Sequence, residues 1–240
     1  MNKIIPFLLL FFLMSGIFVT TLNPVSASEL VTNSWNIKES MSAPRRGLGV
    51  IAVDGKIYAI GGDEFGTNER YDPKTDTWTT LTPMPTPREN FAIATYQNKI
   101  YCISSVLEWP TPILRDSRAQ VIGVNEVYDT VTGHWDTKTP PPIGVDTLWY
   151  RPTGENNLQA QVVNGKIFVI AGLALYLYDP VTDIWTEKPS IPVDITPPYY
   201  RVLTVTDEKL IVIWEFTVHL EMFKSTTECK VLVYDPKTDL

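Results

Sequence analysis

The stretch YDPKTDTW occupies Tyr71–Trp78, and near copies follow it: YDTVTGHW at Tyr128–Trp135, YDPVTDIW at Tyr178–Trp185 and YDPKTDL at Tyr234–Leu240. A recurrence at roughly 50 residues confines a chain to architectures made of repeated supersecondary units, chiefly propellers and solenoids. The motif itself reads as a hairpin. Tyr71 ends a strand, Asp72 accepts backbone hydrogen bonds at the first turn position, and Pro73 fixes φ at the next. The following TWTTL alternates its faces, as a strand does.

A second hairpin completes each unit. DGKIYAIGG (Asp54–Gly62), QNKIYCISS (Gln97–Ser105), NGKIFVIAG (Asn164–Gly172) and DEKLIVIWE (Asp207–Glu215) align, and each follows another apolar run. The joining dipeptides Asp54-Gly55 and Asn164-Gly165 suit a type I′ turn, whose central residues both need positive φ. Each unit is therefore four short antiparallel strands, a to d. Strands a and b are apolar almost throughout, which fits strands covered on both faces. Sheets stacked around an axis bury such faces, so the expectation is an all-β β-propeller of about four blades. The recurring Trp35, Trp78, Trp135 and Trp185 are expected to be structural, wedged between blades with the Tyr residues.

These residues resemble the kelch repeat, whose blade carries a Gly pair after strand b, a Tyr near the end of strand c and a Trp on strand d. Gly61-Gly62, Tyr71 and Trp78 fit it fully, and Tyr128/Trp135 and Tyr178/Trp185 repeat it. The Gly pair decays to Ser104-Ser105, Ala171-Gly172 and Trp214-Glu215. The Arg that often opens a kelch strand a stands at Arg45 and Arg88, with Glu155 and Pro198 at the aligned later positions. The resemblance covers residues 33 to 240 and implies a fold. It implies no single activity, because kelch propellers host binding modules and enzymes alike.

Aligned this way, residues 33–37 form a lone strand d, followed by blades over 46–80, 88–137 and 155–187 and an incomplete blade over 198–240. Two expectations follow: part of a longer ring, six-bladed in the resembled family, or a closed ring of four blades completed by the first strand d.

Residues 1–27 stand apart from this domain of 28–240. Lys3, an apolar run and the small residues Val25 and Ala27 have the order of a secretory signal peptide. Cleavage after Ala27 and export to the medium or cell surface are expected. Removing Lys3 leaves 19 Lys and Arg against 27 Asp and Glu, a formal charge of −8. So acidic a surface argues against nucleic acid as a partner. Cys102 and Cys229, two blades apart, are expected to be buried free thiols.

Loop lengths separate two ends of the sheets. From the start of strand a to the Lys opening strand b is 11 residues in all four units, and from Tyr to Trp is 7 in the three complete ones. The b–c spacings are 9, 23, 6 and 19, and the d–a spacings 10, 20 and 13. In up-and-down sheets all of that variation falls at one end, which in repeat proteins usually marks the binding face. The long connections there carry Trp109, Arg115, Arg118, Trp149, Tyr150, Arg151, Tyr200 and Arg201. With Arg88 these are the expected ligand contacts. Aromatic rings stack on sugars or anchor a protein partner, and guanidinium groups clamp carboxylates. WEFTVHLEMFKSTTE (Trp214–Glu228) reads as a further long loop holding His219.

Catalytic signals in the sequence are thin. His134 and His219 lie in different blades, at opposite ends of the sheets, which excludes a shared copper site of the kind known on a similar fold. No nucleophile elbow, zinc motif or phosphate loop occurs, so no catalytic residue, metal or cofactor is assigned. The reading is an exported binding module for a protein or carbohydrate. The alternatives are an acidic-sugar epimerase, which the resemblance admits and for which Arg45 and Arg88 would hold a carboxylate, and a surface adhesin or structural protein, the membrane anchor of an adhesin lying outside this stretch.

Overall fold

The computed structural model describes residues 35–104, 106–107, 120–121, 123–143, 158–192, 200–221 and 224–238. Among them there is no helix, and so none long and apolar enough to cross a membrane. The chain falls into two compact units, Met1–Lys38 and Glu39–Leu240, and the strands all lie in the second.

The first blade comprises β1 (Gly49–Val53), β2 (Lys56–Ile60), β3 (Asn68–Asp72) and β4 (Thr77–Leu81), adjacent in that order. The second has β5 (Ala92–Tyr96) and β6 (Lys99–Ile103), a two-stranded ribbon of β7 (Val106–Leu107) with β8 (Gln120–Val121), then β9 (Asn125–Asp129) and β10 (Trp135–Lys138). The third comprises β11 (Leu158–Val163), β12 (Lys166–Ala171), β13 (Ala174–Asp179) and β14 (Ile184–Lys188). The fourth has β15 (Tyr200–Thr206), β16 (Lys209–Glu221) and β17 (Lys224–Tyr234). Every pairing is antiparallel.

Each strand a packs beside the next, β1 on β5, β5 on β11 and β11 on β15, so the a strands are innermost, as a propeller requires. Strand b shows why the sequence there is apolar without alternation. In β12, Ile167, Val169 and Ala171 face the second blade, and Phe168 and Ile170 face the fourth. In β6, Ile100 and Cys102 face the first blade, and Tyr101 and Ile103 the third. All nine are at most 2% exposed, so both faces of strand b are core.

The a–b turns are as tight as the dipeptides predict. Asp54-Gly55, Asn164-Gly165 and Asp207-Glu208 all have positive φ at both positions. The strands a begin a few residues later than the alignment suggests, β1 at Gly49 and β5 at Ala92. Gly47 (φ 60°) and Asn90 (φ 55°) explain the delay, because left-handed residues cannot extend a strand.

Two expectations are corrected. The stretch from Trp214 to Glu228 is a hairpin rather than a loop. β16 and β17 pair from Leu210↔Tyr234 out to Glu221↔Lys224, with a bulge after His219, so His219 sits on a strand. The apolar–polar alternation of WEFTVHLE is a strand period, which the repeat alignment obscured by treating everything beyond the Gly-pair position as loop. Secondly, residues 35–37 are not a strand, and Trp35 and Ile37 are fully exposed. A strand d needs a strand c beside it, and among the described residues neither β3, which pairs with β4, nor β17, which pairs only with β16, pairs with residues 35–37.

Candidate functional site

Blade-to-blade contacts leave only certain surfaces for function. Tyr71 faces Trp78, Tyr128 faces Trp135 and Tyr178 faces Trp185 across β3–β4, β9–β10 and β13–β14, with ring centroids 5.1, 5.1 and 4.7 Å apart. Each Trp is half-buried, and its indole N–H reaches back along the chain. Trp78 donates to the carbonyl of Glu39, Trp135 to Thr82 and Trp185 to Thr139, at 2.8–2.9 Å. Thr82 and Thr139 each lie four residues past the Trp of the preceding blade. The same two carbonyls accept from Asn68 and Asn125 of their own blades. The rings are thus structural, as expected for these three positions.

The second Asp of the motif completes the clasp. Asp76 accepts from the Tyr71 hydroxyl and the Glu39 N–H, and Asp183 from the Tyr178 hydroxyl and the Thr139 N–H. Both are left-handed (φ 56° and 58°), a conformation Asp tolerates. The hydrogen bond to Asp76 holds the Tyr71 proton, pushing its pKa up to about 12. The first Asp has a different duty. Besides capping its turn, it pairs with the Lys that opens strand b: Lys56 with Asp72, Lys99 with Asp129, Lys166 with Asp179 and Lys209 with Asp235. The Lys hydrogen bonds chiefly lower the carboxyls of Asp129 and Asp179 to about 2.

Arg88, expected to meet a ligand, is corrected to a buried fastener. Its side chain is 0% exposed, ion-paired with Glu126 and donating to the carbonyls of Thr86 and Cys102. Arg45 matches it, reaching Glu69 at 2.7 Å and the carbonyls of Gly61 and Thr67 at 2.8 Å. Each does hold a carboxylate, but one supplied by strand c of its own blade. Packed away in low dielectric, neither is available to a substrate. A signal was present in the sequence: Asn-Glu-x-Tyr-Asp occurs only in the two blades that carry the Arg.

The innermost strands line a cavity of about 610 Å³, formed by β1, β5, β11 and Leu203. Its lining includes Val50, Phe91, Thr95, Gln159 and Gln161, and no ionisable side chain. Gln159 and Gln161 bind the backbone N–H and C=O of Leu203, tying blade three to blade four. Among the described residues no group of His, Cys, Asp and Glu could hold a metal ion. Cys102 is buried, and burial pushes its thiol up to about 12, whereas Cys229 is exposed, against the expectation of two buried thiols.

The connections differ as the spacings predict. The a–b turns have two residues in all four blades. The b–c connection runs over 61–67 in the first blade, over 104–124 with its β7–β8 ribbon in the second, and shrinks to Gly172-Leu173 in the third. In the fourth it becomes the β16–β17 extension. Trp109, Arg115, Arg118, Trp149, Tyr150 and Arg151 lie outside the described residues. Tyr200 and Arg201 open β15, opposite Glu215 and Trp214.

Blades of antiparallel strands, clasped by Tyr–Trp pairs and with their a strands innermost, define a β-propeller of the kelch type. A family model described as "Kelch motif" matches residues 44–85. The chain is similar to Kelch-like protein 35 of Mus musculus, 26% identical over 216 residues, covering 86% of the chain and 32% of that protein. It also resembles Kelch-like protein terF of Aspergillus terreus, 37% identical over 70 residues, covering 25% of the chain and 15% of the relative. The chain thus spans about a third or less of the length of these relatives. The solved structure of YjhT shares the fold with a TM-score of 0.55 at 14% identity, covering 73% of this chain and 60% of that one.

Proposed function

We propose that the chain is an exported interaction module that grips a polypeptide partner with the connections at the variable end of its blades. Kelch-repeat proteins generally mediate protein interactions, and the first relative named above is a kelch-like protein. The observation that carries the reading is the asymmetry of the connections. One end keeps two-residue a–b turns in every blade, and the other ranges from two residues to a 21-residue insertion at 104–124. Rigid strands with diversity gathered at one end are how a scaffold presents a recognition surface. The sequence of residues 1–27 supports export. A carbohydrate ligand and an acidic-sugar epimerase are weaker readings, because the two Arg residues best placed for a sugar carboxylate are consumed by Glu69 and Glu126.

The test compares the full chain with two variants in which residues 108–119 or 144–157 are replaced by Gly-Ser of equal length. Each is screened by affinity capture from the native secretion and against a glycan array. The expected result is a protein partner lost in at least one variant whose thermal melt is unchanged. Turnover of an acidic sugar by the unaltered chain would overturn the reading in favour of an enzyme.

A further inference from the structure

The β2–β3 connection, GGDEFGT, holds an aromatic ring in water. Phe65 is 70% exposed, yet the loop beneath it is fully tied down. Asp63 accepts from the N–H groups of Phe65 (3.2 Å) and Thr67 (2.9 Å). Gly61 N–H donates to Thr67, Gly62 N–H to Arg88, and Met84 N–H to Gly66, at 2.7–3.0 Å. Gly66 is left-handed (φ 65°), and a Cβ on it would stand 2.6 Å from the Met84 carbonyl. Any other residue there would push the loop away from its neighbour. A ring that costs free energy to expose is thus carried by a loop with little freedom to hide it.

The neighbouring d–a connection is TPMPTPR, and it alternates. Met84 and Arg88 are 2% exposed and Thr86 bonds Glu126, whereas Pro83, Pro85 and Pro87 all face solvent. The Met84–Gly66 and Gly62–Arg88 backbone bonds join this connection to the one that carries Phe65. The exposed ring and the exposed prolines thus lie on adjoining connections that are tied to each other, so little ordering entropy remains to oppose binding. Glu64, at the tip, and the half-buried Asp63 flank the ring with negative charge, and Arg46 is engaged by Glu89 at 3.2 Å.

Resting on the interaction reading above, we propose that Phe65 and the Pro83–Pro85–Pro87 ridge are the anchor of the recognition surface, and that the partner is a polypeptide presenting an apolar, aromatic-lined pocket rimmed by Lys or Arg. A sugar would find no side-chain hydrogen-bonding group on these four residues. An aromatic anchor set in a partner's pocket typically dominates such an interface. The acidic flank selects the basic rim by charge complementarity.

The experiment selects a displayed library of random peptides on the immobilised full chain, with no surface favoured in advance. The expected outcome is enrichment of peptides carrying aromatic residues together with Lys or Arg. Phe65→Ala weakens their binding at least about tenfold, Phe65→Tyr keeps most of it, and Pro85→Ala weakens it less. The melting temperature of Phe65→Ala stays that of the parent, since the ring packs on little. Binding that ignores Phe65→Ala but is lost on replacing residues 108–119 overturns this inference and leaves the variable-end reading standing. Binding lost instead on Val181→Asp, at the exposed c–d turn of the opposite end, overturns both. Enrichment of acidic peptides overturns the assigned partner chemistry.

Discussion

At the head of strand c, blades one and two carry Asn68-Glu69 and Asn125-Glu126, where blade three carries Leu175-Tyr176. The first pair of blades thus closes its upper end with a buried Arg–carboxylate bond, and the third with apolar packing. All six residues are at most 4% exposed. The two chemistries support the same strand order, so the ion pair is not required to make a blade. What it adds is directional. Arg45 ties its own b–c connection through Gly61 and Thr67, and Arg88 ties Thr86 to Cys102, whereas blade three has almost no b–c connection to tie. A buried charge pair is costly to desolvate, and it is found here where a connection must be held open and rigid.

Removing one partner of the ion pair has the largest expected effect. Glu126→Ala leaves Arg88 buried with its charge uncompensated and is expected to cost about 3–5 kcal/mol in chemical denaturation. The double variant Arg88→Leu/Glu126→Leu, which copies the apolar solution of blade three, is expected to recover most of that loss. If the double variant is as unstable as the single, the two chemistries are not interchangeable.

The inter-blade clasps extend the comparison, because blade two departs from its neighbours there. Asp183→Ala removes the acceptor of the Tyr178 hydroxyl and the Thr139 N–H and is expected to cost about 1–3 kcal/mol by thermal or urea unfolding. Blade two has Gly133 at this place, with φ 73°, and the Thr82 hydroxyl bonds its carbonyl instead. A Cβ on Gly133 would meet only the Tyr128 hydroxyl, at 3.6 Å. Gly133→Asp therefore installs the missing acceptor and is expected to stabilise the chain by up to about 1 kcal/mol. Destabilisation would show that the hydroxyl route had displaced the carboxylate one.

The smallest effect separates what all blades share. Asp129 and Asp179 titrate at about 2 in the folded chain, against about 3.9 unfolded. A depressed carboxyl contributes stability that is complete above the unfolded value and is lost as pH falls through the folded one. Acid unfolding between about pH 4 and 2 is therefore expected to be blunted by Asp129→Asn and Asp179→Asn alike, whichever chemistry closes the blade's upper end. Between pH 5 and 8 these pairs contribute no slope.

Most of the frame was legible because its signals are local. Asp-Gly and Asn-Gly announce the a–b turns, and Tyr facing Trp follows from a seven-residue hairpin. The clasps were not legible, since the acceptor of each indole is a backbone carbonyl 39 to 53 residues upstream, and carbonyls leave no mark in a sequence. Arg88 misled because an Arg near a loop looks free until its Glu, 38 residues on, is known to lie beside it. The β16–β17 hairpin was hidden by alignment to shorter blades. The candidate anchor was missed altogether, because Phe65 sits in the shortest loop that still leaves the blade, among glycines read only as a repeat mark.

Each of the three described indole clasps points upstream, from a Trp to a carbonyl already laid down, Glu39 ahead of the first blade and Thr82 and Thr139 past strand d of the blade before. A nascent chain adding blades in order would find each acceptor waiting when its donor emerged. The order of synthesis can then serve as the order of docking, and no blade must stay undocked until a later one arrives to hold it.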